Sequence, residues 1–500
     1  MEYDCIIIGA GVAGLSAGLK LSAAGKKILL IEKQPVPGGF ATVFRRKGFT
    51  FESAIHCVDE LSKGGWLREF LAKYQIEQNL EFLELNDFAR IVYPEHNFVV
   101  DFNRDNFVNY LKTKFPREEK KLEKLFLEFD KFFRQFEHFS NSALPGVVKL
   151  ILSPFLYPAV IKASTCSIGQ FIDQYISDQR LKAIIADLWR FMGLPPDKLS
   201  AFYFLIVFRG YYYTRTAYIK GGFTTLFQAI VEEIKKRGGE VKYNTVVKRI
   251  VTQKGKRVES VVTDKGEEFC AKAVISNANA IDTLTEFIDQ PAITEEYRKK
   301  LPEMEKSVSA FQIYLGLDLP AEKLGMNHHR ISINPTYDHR VNFDAALRQD
   351  YSSCLLELTD HSQLDRGLVP EGKGSLVIMT YDLYANWNKL SEQEYKKKKI
   401  EIATELIKSA EKYLPGLSNH IEVMEVATPR TMKKFASSPE GAIYGFAQTV
   451  AQSGMNRLSQ KTSLKGLFLA GAWTFPGGGV HACFVSGEVA ADLALKYIGR

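Results

Sequence analysis

The sequence predicts an α/β protein whose Rossmann-like sheet is assembled from separated stretches of chain, with a second region interleaved between them. Three observations lead to this. An apolar run, a glycine turn and a helical stretch follow one another from Tyr3 to Ala24, short β-rich runs return between Glu240 and Ala278, and glycines again precede a helix from Gly466 to Leu495. At 500 residues the chain exceeds what one hydrophobic core usually supports, so two or more substructures are expected.

Tyr3 to Ile8 has the continuous apolar character of a strand buried on both faces. In the turn Gly9-Ala10-Gly11-Val12-Ala13-Gly14, Gly9 permits the tight bend, Gly11 admits a close-lying pyrophosphate and Gly14 lets the next helix pack on the strand. That helix, Leu15 to Ala24, ends at Gly25, and its N-terminal N–H groups and dipole stabilise an anion without a basic side chain. A second strand, Lys27 to Ile31, delivers Glu32 with Lys33 beside it. A carboxylate at position 32 accepts from ribose hydroxyls and repels a 2′-phosphate, which favours an adenosine diphosphate moiety lacking that phosphate.

Pro37-Gly38-Gly39 and Gly48-Phe49-Thr50-Phe51-Glu52 come next. This extended signature resembles the flavoprotein superfamily that contains amine oxidases and phytoene desaturases, in which the double glycine passes close to the flavin side of the cofactor. Further on, Tyr218 to Phe223 and an amphipathic helix Thr225 to Arg237 precede strands at Glu240–Tyr243, Val246–Thr252 and Val258–Thr263 and the run Ala273 to Ala278. The resemblance makes these the second cofactor segment, with the Val247 backbone against adenine. The third segment holds Gly466 to Gly471, then Pro476-Gly477-Gly478-Gly479-Val480-His481, then a helix Ser486 to Leu495. It reads as a strand bringing backbone amides to the flavin, with a helix N-terminus near the end that gains negative charge on reduction.

Over nearly its whole length the chain resembles the phytoene desaturase, carotenoid isomerase and retinol saturase family. Ala470 to Gly479 and the stretches Thr428–Thr431 and Ser438–Gly445 are similar to desaturase and isomerase members, whereas Gly48 to His56 is closer to retinol saturase-like ones. Amine oxidase relatives carry an acid after the glycine corresponding to Gly471; this chain has Ala472-Trp473 there, a departure that carotenoid desaturases share. The resemblance implies FAD as cofactor, held by Gly9, Gly11, Ala13, Gly14, Glu32, Lys33, Gly38, Gly39, Val247, Gly471, Gly478, Gly479 and Val480. It also implies a discontinuous Rossmann-like FAD-binding domain from residues 1–90, 215–285 and 425–500. The remainder, 91–214 and 286–424, is then a substrate-binding region with a mixed sheet and a helical, membrane-docking part, α+β overall.

Composition sets bounds. With 46% hydrophobic and 25% charged residues the chain is neither disordered nor a multi-span membrane protein. The net charge of +7 is modest and its basic residues alternate with acids, as in Arg117 to Lys124, so no nucleic-acid partner is expected. Six dispersed cysteines form no C-x-x-C pair, which argues against a disulfide frame or a thiolate metal site; they are expected as small buried hydrophobes. The start Met1-Glu2-Tyr3-Asp4 has no basic n-region, and a cytoplasmic, reducing location is expected.

Between the first two cofactor segments Leu122, Leu125, Phe126, Phe129, Phe132, Phe133 and Phe136 recur at helical spacing, suited either to a core or to a channel for a flat conjugated chain. A second aromatic run, Phe202 to Tyr213, could line the same passage. Leu144 to Ile161 is apolar but broken by Pro145, Pro154 and Pro158, so it does not span a bilayer. It is read as a peripheral membrane contact with Lys149 and Lys162 reaching headgroups, the competing reading being a buried helix pair.

No nucleophile elbow, H-E-x-x-H or Cys–His constellation is present. That suits a flavin exchanging hydride at C–C or C=C bonds of a polyene isoprenoid, where the protein positions the substrate and excludes water. His56 and His481, which the family pattern places near the flavin, are the catalytic candidates for proton handling, against a plain structural role. A single dinucleotide fingerprint means that electrons pass to or from an external oxygen, quinone or protein. Desaturation, saturation and cis–trans isomerisation remain open, as do a flavin amine oxidase and a non-catalytic FAD-binding lipid escort.

Overall fold

The structure, a computed structural model, describes residues 2–85, 87–101, 103–142, 152–214, 216–290 and 294–499. Strands Glu2–Ile8 and Ile28–Ile31 are buried along nearly their whole length, as their apolar runs require. They lie parallel between Glu240–Lys242 on one side and Glu268–Ser276 on the other. Alternation assigns their side chains: Cys5 and Ile7 join a core with Leu15, Ile230 and Ala490, while Ile6 and Ile8 join another with Val247, Val261 and Leu469. Helices Val12–Ala23, Phe223–Lys236 and Val480–Ile498 therefore cover one face.

Strand Glu268–Ser276 has two neighbours on its far side. Its first residues pair antiparallel with Arg257–Thr263, and Val274 to Ser276 pair parallel with Leu467–Leu469 from the far end of the chain. The sheet thus draws on three separated stretches. Two helices start earlier than the sequence suggests, at Val12 rather than Leu15 and at Val480 rather than Ser486, because Gly11 and Gly479 are themselves the N-caps. Cys270 is exposed, against the expectation of a buried thiol, because the hairpin half of its strand has one open face; Cys166 and Cys483 are half-buried.

A second sheet runs in the order Ile421–Ala427, Ser309–Leu317, Gly374–Asp382, Leu356–Thr359, Arg330–Ile333, Asp87–Val92, Asn97–Asp101. It is mixed, since Arg330–Ile333 lies parallel to Asp87–Val92 within otherwise antiparallel pairing. Strands Asp87–Val92 and Ile421–Ala427 straddle positions 90 and 425, where the sequence divides the chain by motif. One face, with Ile313, Leu315, Leu358 and Ile378, joins the core beneath helices His339–Leu347 and Glu392–Glu411. On the other face Gln312, Met379, Glu357 and Ser332 form one register row, and Tyr314, Val377, Thr359 and Arg330 the next.

The phenylalanine stripe lies on helix Glu119–Asn141. Phe126 and Phe129 pack on Phe208 at 6.2 and 5.4 Å, and Phe132 on Phe202 at 5.9 Å, so most of the stripe is core between this helix and Ala201–Tyr212. Of the stretch Leu144–Ile161, residues 144–151, Lys149 included, lie outside the described residues. Beyond them Leu152, Phe155 and Leu156 are exposed, Phe155 to 82%. Lys162 does not reach outward as expected: its ammonium donates to the Tyr175 hydroxyl at 2.7 Å and lies 5.0 Å from the Phe171 ring, partners that a free lysine lacks. Among the described residues no helix is long and apolar enough to cross a membrane.

Candidate cofactor and substrate site

The glycine turn is fixed by backbone contacts. A Cβ on Gly14 would fall 2.0 Å from the Gly9 carbonyl oxygen, and Gly9 itself holds φ +94°. Glu32, buried at the end of its strand, accepts from the Ala10 N–H at 2.6 Å and the Gln34 N–H at 2.8 Å. Burial raises its pKa, and these two hydrogen bonds oppose the rise. Gly38 donates to the Ala10 carbonyl at 2.9 Å, and at φ +119° it has no room for a side chain, since a Cβ would fall 2.9 Å from the Phe227 ring. Lys33 donates to Ser437 at 2.5 Å, and Val247 is buried at the start of strand Val247–Gln253.

Sequence reasoning missed Asn277. With its amide oxygen turned to the glycine turn, it accepts from the N–H groups of Gly11 and Gly14, each at 3.2 Å. This leaves the N–H groups of Val12 and Ala13, at the positive end of the helix, without a partner among the described residues. Two amide donors at a helix N-terminus and a carboxylate one strand away fit the adenosine diphosphate half of FAD.

The C-terminal segment meets this turn from the other side. A Cβ on Gly471, at φ +99°, would fall 2.5 Å from the Asn277 side chain, and one on Gly478 would fall 2.9 Å from Tyr444. The segment is held by Arg457, which donates to the carbonyls of Thr474 at 3.0 Å, Phe446 at 2.9 Å and Ala472 at 2.5 Å. Burial depresses this guanidinium to about 10. Gly479 then caps the helix whose first residues are Val480 and His481, and a Cβ there would meet open space.

That space is a cavity of about 930 Å³. Gly478, Gly479 and Val480 border one part of it, Phe133, Phe136, Phe202 and Ile206 another, and Ser140 and Asn141 its rim. The second sheet contributes Gln312, Met379, Tyr381, Glu357 and Arg330. Both histidine candidates line it. His56 stacks on His361 at 5.7 Å with an interplanar angle of 13°, and its Nδ1 has no hydrogen-bond partner. Burial first, then the charge of Arg330, hold His56 neutral, well below its ordinary value. His481 lies 3.3 Å from Asp59; burial lowers its pKa, but the bond to Asp59 and the charges of Asp59 and Glu60 outweigh that and raise it. The structure therefore places Gly478, Gly479, Val480 and the two histidines on one cavity, with Glu32 held beside the glycine turn at Ala10.

A family profile described as flavin containing amine oxidoreductase matches residues 12–495. The chain belongs to this family. It is an FAD-dependent oxidoreductase. Among curated relatives it is 27% identical to a chloroplastic prolycopene isomerase from Daucus carota, covering 99% of this chain and 81% of that one. It is 27% identical to a lycopene-forming phytoene desaturase from Pantoea ananas, covering 98% of each, and 26% identical to an all-trans-retinol 13,14-reductase from Danio rerio, covering 94% and 82%. In fold it matches an oxidoreductase from Methanosarcina mazei with a TM-score of 0.66 at 17% identity, covering 98% and 100%, and a putrescine oxidase bound to putrescine with 0.65 at 14%, covering all of both chains.

Proposed function

We propose that this family member exchanges hydride at carbon–carbon bonds of a long apolar polyene isoprenoid, as a desaturase, saturase or cis–trans isomerase. The observation that carries this is that Phe133, Phe136 and Phe202 line the same cavity as the Gly478-Gly479-Val480 turn. The names of the curated relatives support the same substrate class. When bound, a flavin supplies hydride exchange at its N5. The chain's own part is to hold the adenosine diphosphate moiety at Val12, Ala13 and Glu32, to bring Gly471, Gly478, Gly479 and Val480 against the ring, and to shape a dry slot beside it. His481, paired with Asp59, is the group suited to hold a proton there, and neutral His56 to line the slot. Residues 1–90, 215–285 and 425–500 serve the cofactor and the remainder the substrate, with electrons passing to or from an external oxygen, quinone or protein.

Exposed Leu152, Phe155 and Leu156 follow closely on the helix whose Ser140 and Asn141 rim the cavity. This supports a peripheral membrane contact from which an apolar substrate enters. The test is expression in carotenoid-producing cells with chromatographic pigment analysis, paired with anaerobic titration of the purified yellow protein. A changed polyene profile and flavin bleaching by a polyene are expected. An unchanged profile, together with bleaching by an amine, overturns the proposal.

A further inference from the structure

A slot for a pure hydrocarbon needs no charge in its wall, yet this cavity has four charges in or directly behind one. Arg330 and Glu357 line it from adjacent strands, and Arg190 lines it from the turn Asp187–Phe191; all three are at least 96% buried, Arg330 at 1% exposure. Glu357 accepts from Arg330 Nε at 2.8 Å, from the Ser332 hydroxyl at 2.9 Å and from Arg190. Arg190 continues to Asp187 at 2.8 Å and Asn334 at 2.7 Å. Arg330, Ser332 and Glu357 belong to the sheet face that carries Gln312 and Met379, whereas the opposite face is apolar throughout Ile313, Leu358 and Ile378. A buried ion pair stabilises a fold little better than packed aliphatic side chains, so stability gives no reason for placing one on the wall of a chamber. The Arg330 guanidinium stands close enough to influence His56, Cys57, Tyr211, Tyr381 and Tyr444, all lining groups.

We propose that this wall is a terminal-oxygen subsite: it takes the carbonyl or hydroxyl oxygen at one end of an amphipathic polyene, with Arg330 as its principal donor, and so selects oxygen-ended chains over hydrocarbons. The proposal rests on the polyene reading above and narrows it. A hydrocarbon drives water from the charged wall and returns no hydrogen bond, whereas a terminal oxygen replaces what the water gave. The oxygen is neutral, because the guanidiniums of Arg190 and Arg330 already balance the carboxylates of Asp187 and Glu357; a substrate carboxylate would leave one negative charge uncompensated in a buried site.

The experiment uses the FAD-loaded full chain and four probes that share one polyene and differ at its terminal carbon: retinal, retinol, retinoic acid and the hydrocarbon axerophthene. Binding is read from the flavin and polyene absorption bands. Retinal or retinol should bind about tenfold to a hundredfold tighter than axerophthene. The paired substitution Arg330→Met with Glu357→Gln, which avoids stranding one buried charge, should abolish that preference while leaving axerophthene binding in place; its melting curve reports whether it folds, and the wild-type comparison needs no variant. Equal affinity of hydrocarbon and oxygenated probes overturns the subsite and leaves the polyene reading standing. Tightest binding by retinoic acid, or a preference that survives the double substitution, also overturns it. Binding by none of the four, with amine turnover instead, removes the polyene reading and this inference with it.

Discussion

Nδ1 of His481 lies 3.3 Å from Oδ2 of Asp59, and the pairing sets the charge at the helix end that borders the cavity. His481 is the second residue of its helix, where the helix dipole disfavours an imidazolium, and burial disfavours it further. Asp59, with Glu60 behind it, more than offsets both; Arg209 opposes, and the Trp66 ring packs at 5.2 Å without charge. Asp59 can stand there only because helix Ala201–Tyr212 has Gly210 at the crossing, where a Cβ would fall 2.2 Å from Oδ2. Because the folded pKa is raised above 6.5, the pairing stabilises fully below that value and is lost as pH rises through the folded pKa. Asp59→Asn should therefore bring the His481 titration, followed by NMR, below 6.5, and its melting deficit against wild type should be larger at about pH 6 than at about pH 9. An unmoved titration would show that Asp59 does not hold the proton.

Glu52 behaves in the opposite sense for an acid. It is wholly buried, accepts from the Tyr218 hydroxyl and the Phe223 N–H, each at 2.8 Å, and its second oxygen has no partner. Burial dominates these two bonds and lifts its pKa to about 8, so the carboxyl is neutral at pH 7. Raised above its unfolded value of 4.5, the group stabilises fully below that value and progressively less as pH climbs through 8. Glu52→Gln keeps the accepting oxygen and removes the ionisation. The variant should melt close to wild type at about pH 4 and increasingly above it as pH rises from there to about 8. Parallel pH profiles for the two proteins would contradict this.

Gly14 separates steric need from backbone freedom, since its φ is not in the left-handed region and only the 2.0 Å approach to Gly9 forbids a side chain. Gly14→Ala must push the helix off the strand, displacing the Val12 and Ala13 amides. FAD affinity measured by calorimetry should fall on the order of a hundredfold. A yellow variant with wild-type stoichiometry and affinity would mean that the helix end does not hold the pyrophosphate.

What could be read from sequence was set by neighbours along the chain. The glycine turn, Gly38-Gly39 and Gly478-Gly479 are local backbone requirements, and Glu32 directly follows its strand, so each is legible from its immediate neighbours. Asn277, Arg457 and the Arg190–Glu357–Arg330 group act across 266, 15, 167 and 27 positions of sequence, where only register and packing bring partners together. A trace of them was visible: Arg330 and Glu357 interrupt strands that are otherwise largely apolar, as a purely structural sheet would not require. Lys162 misled because its spacing suits a membrane edge equally well as an aromatic shelf, and Phe171 and Tyr175 decide between them only in the folded chain.

Arg457 offers the sharpest test of how the C-terminal glycines are held. Its donors satisfy carbonyls of Phe446, Ala472 and Thr474, and a strand-like connection cannot replace them because Gly471 to Gly479 is turn rather than sheet. Arg457→Met fills the space but leaves those carbonyls buried, at a cost of about 2–4 kcal/mol. The loss falls on the segment bordering the cavity, so FAD should be released, as a rise in flavin fluorescence on heating, at a lower temperature than the global unfolding followed by far-UV circular dichroism. Arg457→Lys, with one ammonium against three acceptors, should restore only part of the difference. Coincident release and unfolding in Arg457→Met, at the wild-type temperature, would show that the segment is held by its packing on Tyr444 instead.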